Sequence, residues 1–212
     1  MTYESVKRAE DVILAILILI VFSPIMLATA VLIKLTSPGP IFADIPKRVG
    51  KGGKLFRLYK FRSMVPGSYL AIRTNPNLKK FFEQYKKGGY KLKDDPRVTP
   101  VGRFIRKYSI DEVPQAVNIL KGEMSLIGPR PYFAEELKVQ ADLHPGTKKL
   151  IKEALGVKPG ITGYWQVSGR SNVNFDKRIA IDAMYARNMS FMLDLEILLR
   201  TPWAMLSGKG AV

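Results

Sequence analysis

The sequence predicts an α/β fold, mainly helical with a small β-hairpin, in a monotopic membrane protein whose N-terminus is a re-entrant helix-break-helix. Three observations predict it. The run VILAILILIVFSPIMLATAVLI, Val12–Ile33, carries no charge and is interrupted in its middle by Ser23-Pro24. Most of the remaining chain reads as short helices with apolar residues at three- and four-residue spacing. Between residues 39 and 64, two short extended segments flank a Gly-rich turn at Gly50–Gly53.

The apolar run comes first. At about 1.5 Å per residue, a straight helix of that length crosses the roughly 30 Å apolar core of a bilayer. Pro24 lacks an N–H and its ring crowds the carbonyl of Ile20, so the helix bends there. The Ser23 hydroxyl can satisfy a freed carbonyl near Leu19 or Ile20, which makes the break tolerable in lipid. A cleaved signal peptide fits less well, since its apolar core is about 7–15 residues and KLTSPGP offers no convincing cleavage site. Lys7 and Arg8 precede the run, while Lys34, Lys47, Arg48 and Lys51 follow it. Basic flanks mark the cytoplasmic side, so both ends are expected there. A Pro-kinked spanning helix is the rival. The expected division is a membrane segment over 1–36 and a cytoplasmic domain over 37–212, with amphipathic helices at the interface.

Composition narrows the chemistry. The 212 residues include 34 Lys and Arg against 18 Asp and Glu, a net charge of +16. Such a balance suits anionic partners: acidic lipid headgroups, phosphorylated substrates or nucleic acid. Cysteine is absent, which excludes disulfides, thiol nucleophiles and Cys-based zinc sites. The single histidine, His144, sits in the loop-like DLHPG, so acid–base work falls to carboxylates.

The other elements follow in order. NPNLKKFFEQYKKGGYKLK (75–93) has helical spacing at 78, 81, 82 and 85, and reads equally as a helix on an anionic membrane or one docked on the core. Thr99 is an N-cap with Pro100 at the first helical position. A second short helix over 111–122 ends at Gly122. YFAEELKVQADL and TKKLIKEALG read as helices, and VKPGITGYWQVSGRS (157–171) as a loop or hairpin. FDKRIAIDAMYARN (175–188) is amphipathic, and SFMLDLEILLRTPWAML (190–206) is strongly apolar.

RKYSIDEVPQ (106–115) is the most informative stretch. Ser109 and Glu112 have the spacing of a capping box, and Asp111 can itself serve as N-cap, so one reading of the carboxylates is purely structural. The functional reading rests on convergence. A helix N-terminus favours phosphate, and Arg103, Arg106, Lys107 and Arg130 lie close by in sequence. Two adjacent carboxylates can hold a divalent cation and still offer a nucleophilic oxygen. There is no Walker A loop and no G-x-G-x-x-G motif.

These segments, with YKFRSM (59–64), KLKDDPRVTPVGRFIRKYSIDEVPQ (91–115), LKGEMSLIGPRP (120–131), KPGITGYWQVSGR (158–170) and MLSGKGAV at the end, give a chain that resembles the monotopic phosphoglycosyl transferases of the bacterial sugar transferase family. The resemblance covers almost the whole chain. It implies transfer of a sugar-1-phosphate from a UDP-sugar, galactose or glucose favoured, to polyprenyl phosphate, with release of UMP. It implies Asp111 as nucleophile, Glu112 assisting, and Mg²⁺ at both. Lys60, Arg62, Arg106 and Arg130 match family positions as phosphate contacts; Gln166 and Arg170 match without individual roles. Lys158 stands where the family usually has Arg, which loses the bidentate fork. Membrane lipids are implied partners and nucleic acid is not; whether the chain is a homo-oligomer stays open. The implied location is the bacterial inner membrane, with the catalytic domain on the cytoplasmic face. The rival class is a membrane-anchored basic protein that binds lipid or nucleic acid without catalysis.

Overall fold

The computed structural model describes residues 3–87, 90, 92, 94–168 and 173–206. Helix α1 (Tyr3–Val21) and helix α2 (Ser23–Thr36) meet at a 59° bend. Among the described residues, no single helix is long and apolar enough to cross a membrane; this bent pair passes that test only when taken together. Pro24 supplies no N–H to the Ile20 carbonyl, and the Ser23 hydroxyl donates to it instead at 2.8 Å. Ile13, Leu17, Ile20, Leu27 and Leu35 stand exposed along the pair.

Both ends of the pair are built into one body. Arg8 donates to the carbonyls of Ile119 (2.6 Å) and Leu120 (3.0 Å), closing the C-terminus of helix α6 (Ala116–Leu120). Buried Asp11 accepts from Ser125 Oγ (2.9 Å) and Leu126 N (2.8 Å), and Tyr3 and Lys7 both bond to Asp194 Oδ2. Ala15 reaches the main apolar core beside Phe56, Ile119, Met124 and Ile197. At the other end, Ile33 packs with Phe61 and Ile105.

The expected hairpin is present. Strands β1 (Arg48–Val49) and β2 (Leu55–Phe56) pair antiparallel around a 3-10 turn at Lys51–Gly53, where Gly52 and Gly53 take positive φ. Helices α3 (Ser68–Thr74) and α4 (Lys79–Lys87) follow. Helix α4 packs on the protein core. Buried Tyr85, with Phe81 and Phe82 partly buried, packs among Ile72, Tyr90, Leu92 and Phe133. The glycines expected to end it, Gly88 and Gly89, lie outside the described residues.

Helix α5 (Pro100–Lys107) begins as expected: Thr99 Oγ1 accepts from Gly102 N at 2.9 Å. The reading of 157–171 as a loop or hairpin is corrected. Strand β4 (Gly160–Thr162) pairs in parallel with strand β3 (Ser125–Ile127), in register Ser125↔Gly160 and Ile127↔Thr162. The crossover carries helices α7 (Ala134–Leu143) and α8 (Lys148–Ala154). The backbones touch at Gly128 and Gly160: a Cβ on Gly160 would lie 2.1 Å from Gly128 N. Helices α9 (Tyr164–Val167), α10 (Phe175–Asn188) and α11 (Phe191–Leu206) complete the body. Helix α11 exposes Phe191, Leu195, Leu199 and Trp203 at four-residue spacing, the last 79% exposed.

Candidate active site

The segment 57–64 forms one wall of the site. Asn118 fixes its register, accepting from Tyr59 N at 2.9 Å and donating to the Arg57 carbonyl at 2.7 Å. Phe61 N bonds to the Asp111 carbonyl at 2.9 Å. Extended backbone alternates its faces, so Phe61 turns into the apolar cluster under α2 while Lys60 and Arg62 line a cavity of about 420 Å³.

Asp111 lies in a 3-10 segment, Ile110–Gln115, entered through Ser109 at φ 55°. Neither capping reading holds. Ser109 makes no side-chain cap bond, and Asp111 lies inside the 3-10 segment with its carboxylate against Lys60. Pro114 supplies no N–H, and a tighter 3-10 turn replaces the regular helical start expected here. Asp111 is 2% exposed, and its Oδ2 lies 2.9 Å from Lys60 Nζ. That contact is an ion pair without hydrogen-bond geometry, since Oδ2 has no directed donor. The hydrogen bond of Lys60 goes to Glu112 Oε1 at 3.2 Å. Burial pushes the Asp111 carboxyl above the usual range; Lys60 and Arg106 oppose this and Glu112 adds to it.

The cavity brings together Lys60, Arg62, Arg106, Asp111, Glu112, Arg130 and Gln166. Arg170 lies outside the described residues. Arg62 is committed to the protein, donating to the Pro40 carbonyl (2.6 Å), to Ser37 Oγ and to the Ser37 carbonyl (3.0 Å). It thereby ties the exit of α2 to the site. Arg130 stands 5.3 Å from the Trp165 ring with Nε unpartnered, and Gln166 donates to Ile161 O while its Oε1 has no partner. Lys158 does not line this cavity; it lies by Arg8 in a separate small hollow near the start of α1.

Three contributors were not picked out in the sequence. Arg48 stacks over Phe133 and lines the cavity. The Arg97 guanidinium clasps Asp95 in a buried pair. Asp182 accepts from Arg130 N (3.1 Å) and Tyr132 Oη (2.7 Å), holding the Arg130 backbone, and burial pushes its carboxyl up to about 7. KRVG and IAID carry no local signal for these roles; Asp95 and Arg97 fall within KDDPR, which was quoted without assigning them.

Among the described residues, the cavity wall carries six basic and four acidic side chains. Polar atoms without a hydrogen-bond partner, Asp111 Oδ2 and Arg130 Nε among them, belong to side chains of this wall. Such a surface suits a polar anion with a divalent cation. No group of three or more metal-ligating side chains occurs among the described residues. Asp111 and Glu112 are adjacent carboxylates of the kind that commonly hold Mg²⁺ together with substrate phosphates, and Lys60 now lies against both.

A family model described as bacterial sugar transferase matches residues 2–208. The undecaprenyl-phosphate galactose phosphotransferase of Salmonella typhimurium is 42% identical over 97% of this chain and 41% of its own length. The exopolysaccharide production protein ExoY of Sinorhizobium fredii is 39% identical over 97% of this chain and 87% of its own. The UDP-N-acetylgalactosamine-undecaprenyl-phosphate N-acetylgalactosaminephosphotransferase of Aeromonas hydrophila is 42% identical over 99% of this chain and 45% of its own. The chain thus spans less than half of two of these relatives.

Proposed function

We propose, from the premise that the chain belongs to the bacterial sugar transferase family, that it moves a sugar-1-phosphate from a UDP-sugar to undecaprenyl phosphate. The products are polyprenyl-diphosphate-sugar and UMP. This would be the first membrane step in building an exopolysaccharide or related glycan. The observation that carries the reading is a buried carboxylate, Asp111, held against one lysine inside a cavity lined by arginines.

In this reading an Asp111 oxygen attacks the β-phosphorus of the UDP-sugar. The bond from that phosphorus to the bridging oxygen breaks, and UMP leaves with the electron pair. An oxygen of the lipid phosphate then attacks the same phosphorus and frees Asp111. Lys60 favours the ionised form of the buried carboxylate, against the push of burial. Arg106 stabilises charge on the phosphoryl oxygens. Asp111 and Glu112 would hold Mg²⁺, which supplies further neutralisation of phosphate charge.

The bent α1–α2 pair would enter one leaflet from the cytoplasmic face of the bacterial inner membrane and return. Its exposed apolar side chains and the attachment of both ends to one body support that topology. It would set the cavity where a lipid phosphate and a soluble nucleotide sugar meet.

Galactose or glucose is the favoured hexose. N-acetylgalactosamine is the second reading, because a relative so named is as similar as the galactose one. The test is UMP release by the full chain in nanodiscs with polyprenyl phosphate, Mg²⁺ and each UDP-sugar in turn. Release with one sugar, abolished in Asp111→Asn, is expected. Release unaffected by Asp111→Asn would refute the assignment.

A further inference from the structure

We propose that Arg48 and Arg130 form a second phosphate subsite in the cavity, separate from the Lys60–Asp111–Glu112 cluster. The inference rests on the transferase reading and adds to it a residue that neither the sequence motifs nor the relatives' names assign.

Arg48 is 9% exposed and lines the cavity. Its guanidinium carbon lies 3.3 Å from the Phe133 ring centroid, which fixes the plane of the fork. Nη1 reaches the Pro131 carbonyl at 3.3 Å, while Nε is buried without an acceptor. Arg130, half-buried, lies farther from a ring, its carbon 5.3 Å from the Trp165 centroid, and its Nε too is unpartnered. Burial holds the Arg48 guanidinium down to about 10, and the positive charge of Arg130 is the next cause. Of the carboxylates near Arg48, Glu136 pairs with Arg178 at 3.0 Å and Glu112 with Lys60, while Asp182 meets Arg130 through its backbone N–H.

A buried cation with an unmet donor beside a second cation is costly unless an anion answers it. A purely structural strut would not need this arrangement. The β1 backbone already fastens to the same segment, with Val49 N donating to Tyr132 O at 2.9 Å. The chemistry recognised is a phosphate monoester or diester bearing more than one acceptor oxygen. The reaction offers two sources besides the phosphate under attack: the nucleotide's α-phosphate and the lipid acceptor's phosphate.

The experiment is calorimetric titration of the full chain in nanodiscs with UMP and, separately, with a short-chain polyprenyl phosphate. Arg48→Met should weaken one of them about 10- to 100-fold, the scale of a lost charge-assisted hydrogen bond. Arg48→Lys, which keeps the charge, should recover part of that loss while the helical circular dichroism stays unchanged. Loss confined to UMP assigns the α-phosphate, and loss confined to the lipid assigns the acceptor. Both affinities within twofold of wild type would overturn the subsite while leaving the transferase reading standing. Wild-type protein that binds neither ligand would overturn both. Should Arg48→Met not fold, Arg48→Lys and Arg130→Lys are compared instead. A loss of threefold or more at each supports the subsite, and no loss at either overturns it.

Discussion

Replacing Lys60 with methionine removes the cation that lies 2.9 Å from Asp111 Oδ2 and 3.2 Å from Glu112 Oε1. At an effective dielectric constant of about 20, a unit-charge pair at that distance is worth about 5–6 kcal/mol. Losing one partner of a buried pair costs about 3–5 kcal/mol. Burial already holds the Asp111 carboxyl high, and Lys60 is the largest influence opposing it. With Lys60 gone and Glu112 still adjacent, Asp111 takes up a proton more readily. If about 3 kcal/mol falls on ionising the nucleophile, kcat/KM at neutral pH drops about 150-fold. The carboxylate works only above its pKa, so the deficit must shrink as pH rises. The assay is UMP release by Lys60→Met and wild type from about pH 6 to about pH 9.5. A loss below tenfold at neutral pH, or one constant across that range, would refute the argument. A constant loss would mean that Lys60 merely contacts substrate.

Three further outcomes are expected. Gly160→Ala drives a Cβ to 2.1 Å from Gly128 N, backbone against backbone; overpacking of about 1–3 kcal/mol should lower Tm by about 3–10 °C in a scan of the purified chain. Asp182, raised to about 7 by burial, binds a proton more tightly folded than unfolded, so its contribution is full below about pH 4 and lost as pH rises through about 7. Urea unfolding of wild type should show stability falling across that window, and Asp182→Asn should flatten the slope. Single cysteines at Thr2 and Pro38 should both resist an impermeant thiol reagent in intact cells; Ser23→Ala with Pro24→Ala should expose the Thr2 cysteine to it, by straightening the helix.

Local patterns made much of the molecule legible. The Ser23-Pro24 break, the Thr99 cap and the Gly50–Gly53 turn depend on neighbours within a few residues, and each forms as its chemistry dictates. The β3–β4 pairing depends on Ser125 meeting Gly160 across a long crossover, which no local period records. The Asp111 segment misled in a useful way. S-x-x-E spacing suggested a cap, but Ser109 adopts a left-handed conformation and Pro114 denies a regular start, so the carboxylate lies against Lys60 in the cavity. Lys60 and Arg62 were both named through the resemblance of YKFRSM, but Arg62 ties down Ser37 and Pro40, a difference invisible in the motif. Arg48 looked no different from Lys47, because only the fold lays it over Phe133.

The most direct measurement is the intact mass of the purified chain after incubation with Mg²⁺ and UDP-galactose or UDP-glucose, with polyprenyl phosphate left out. The account predicts a gain of one hexose phosphate, absent in Asp111→Asn. No gain with any UDP-sugar, while product still forms once polyprenyl phosphate is added, would contradict the covalent route through Asp111.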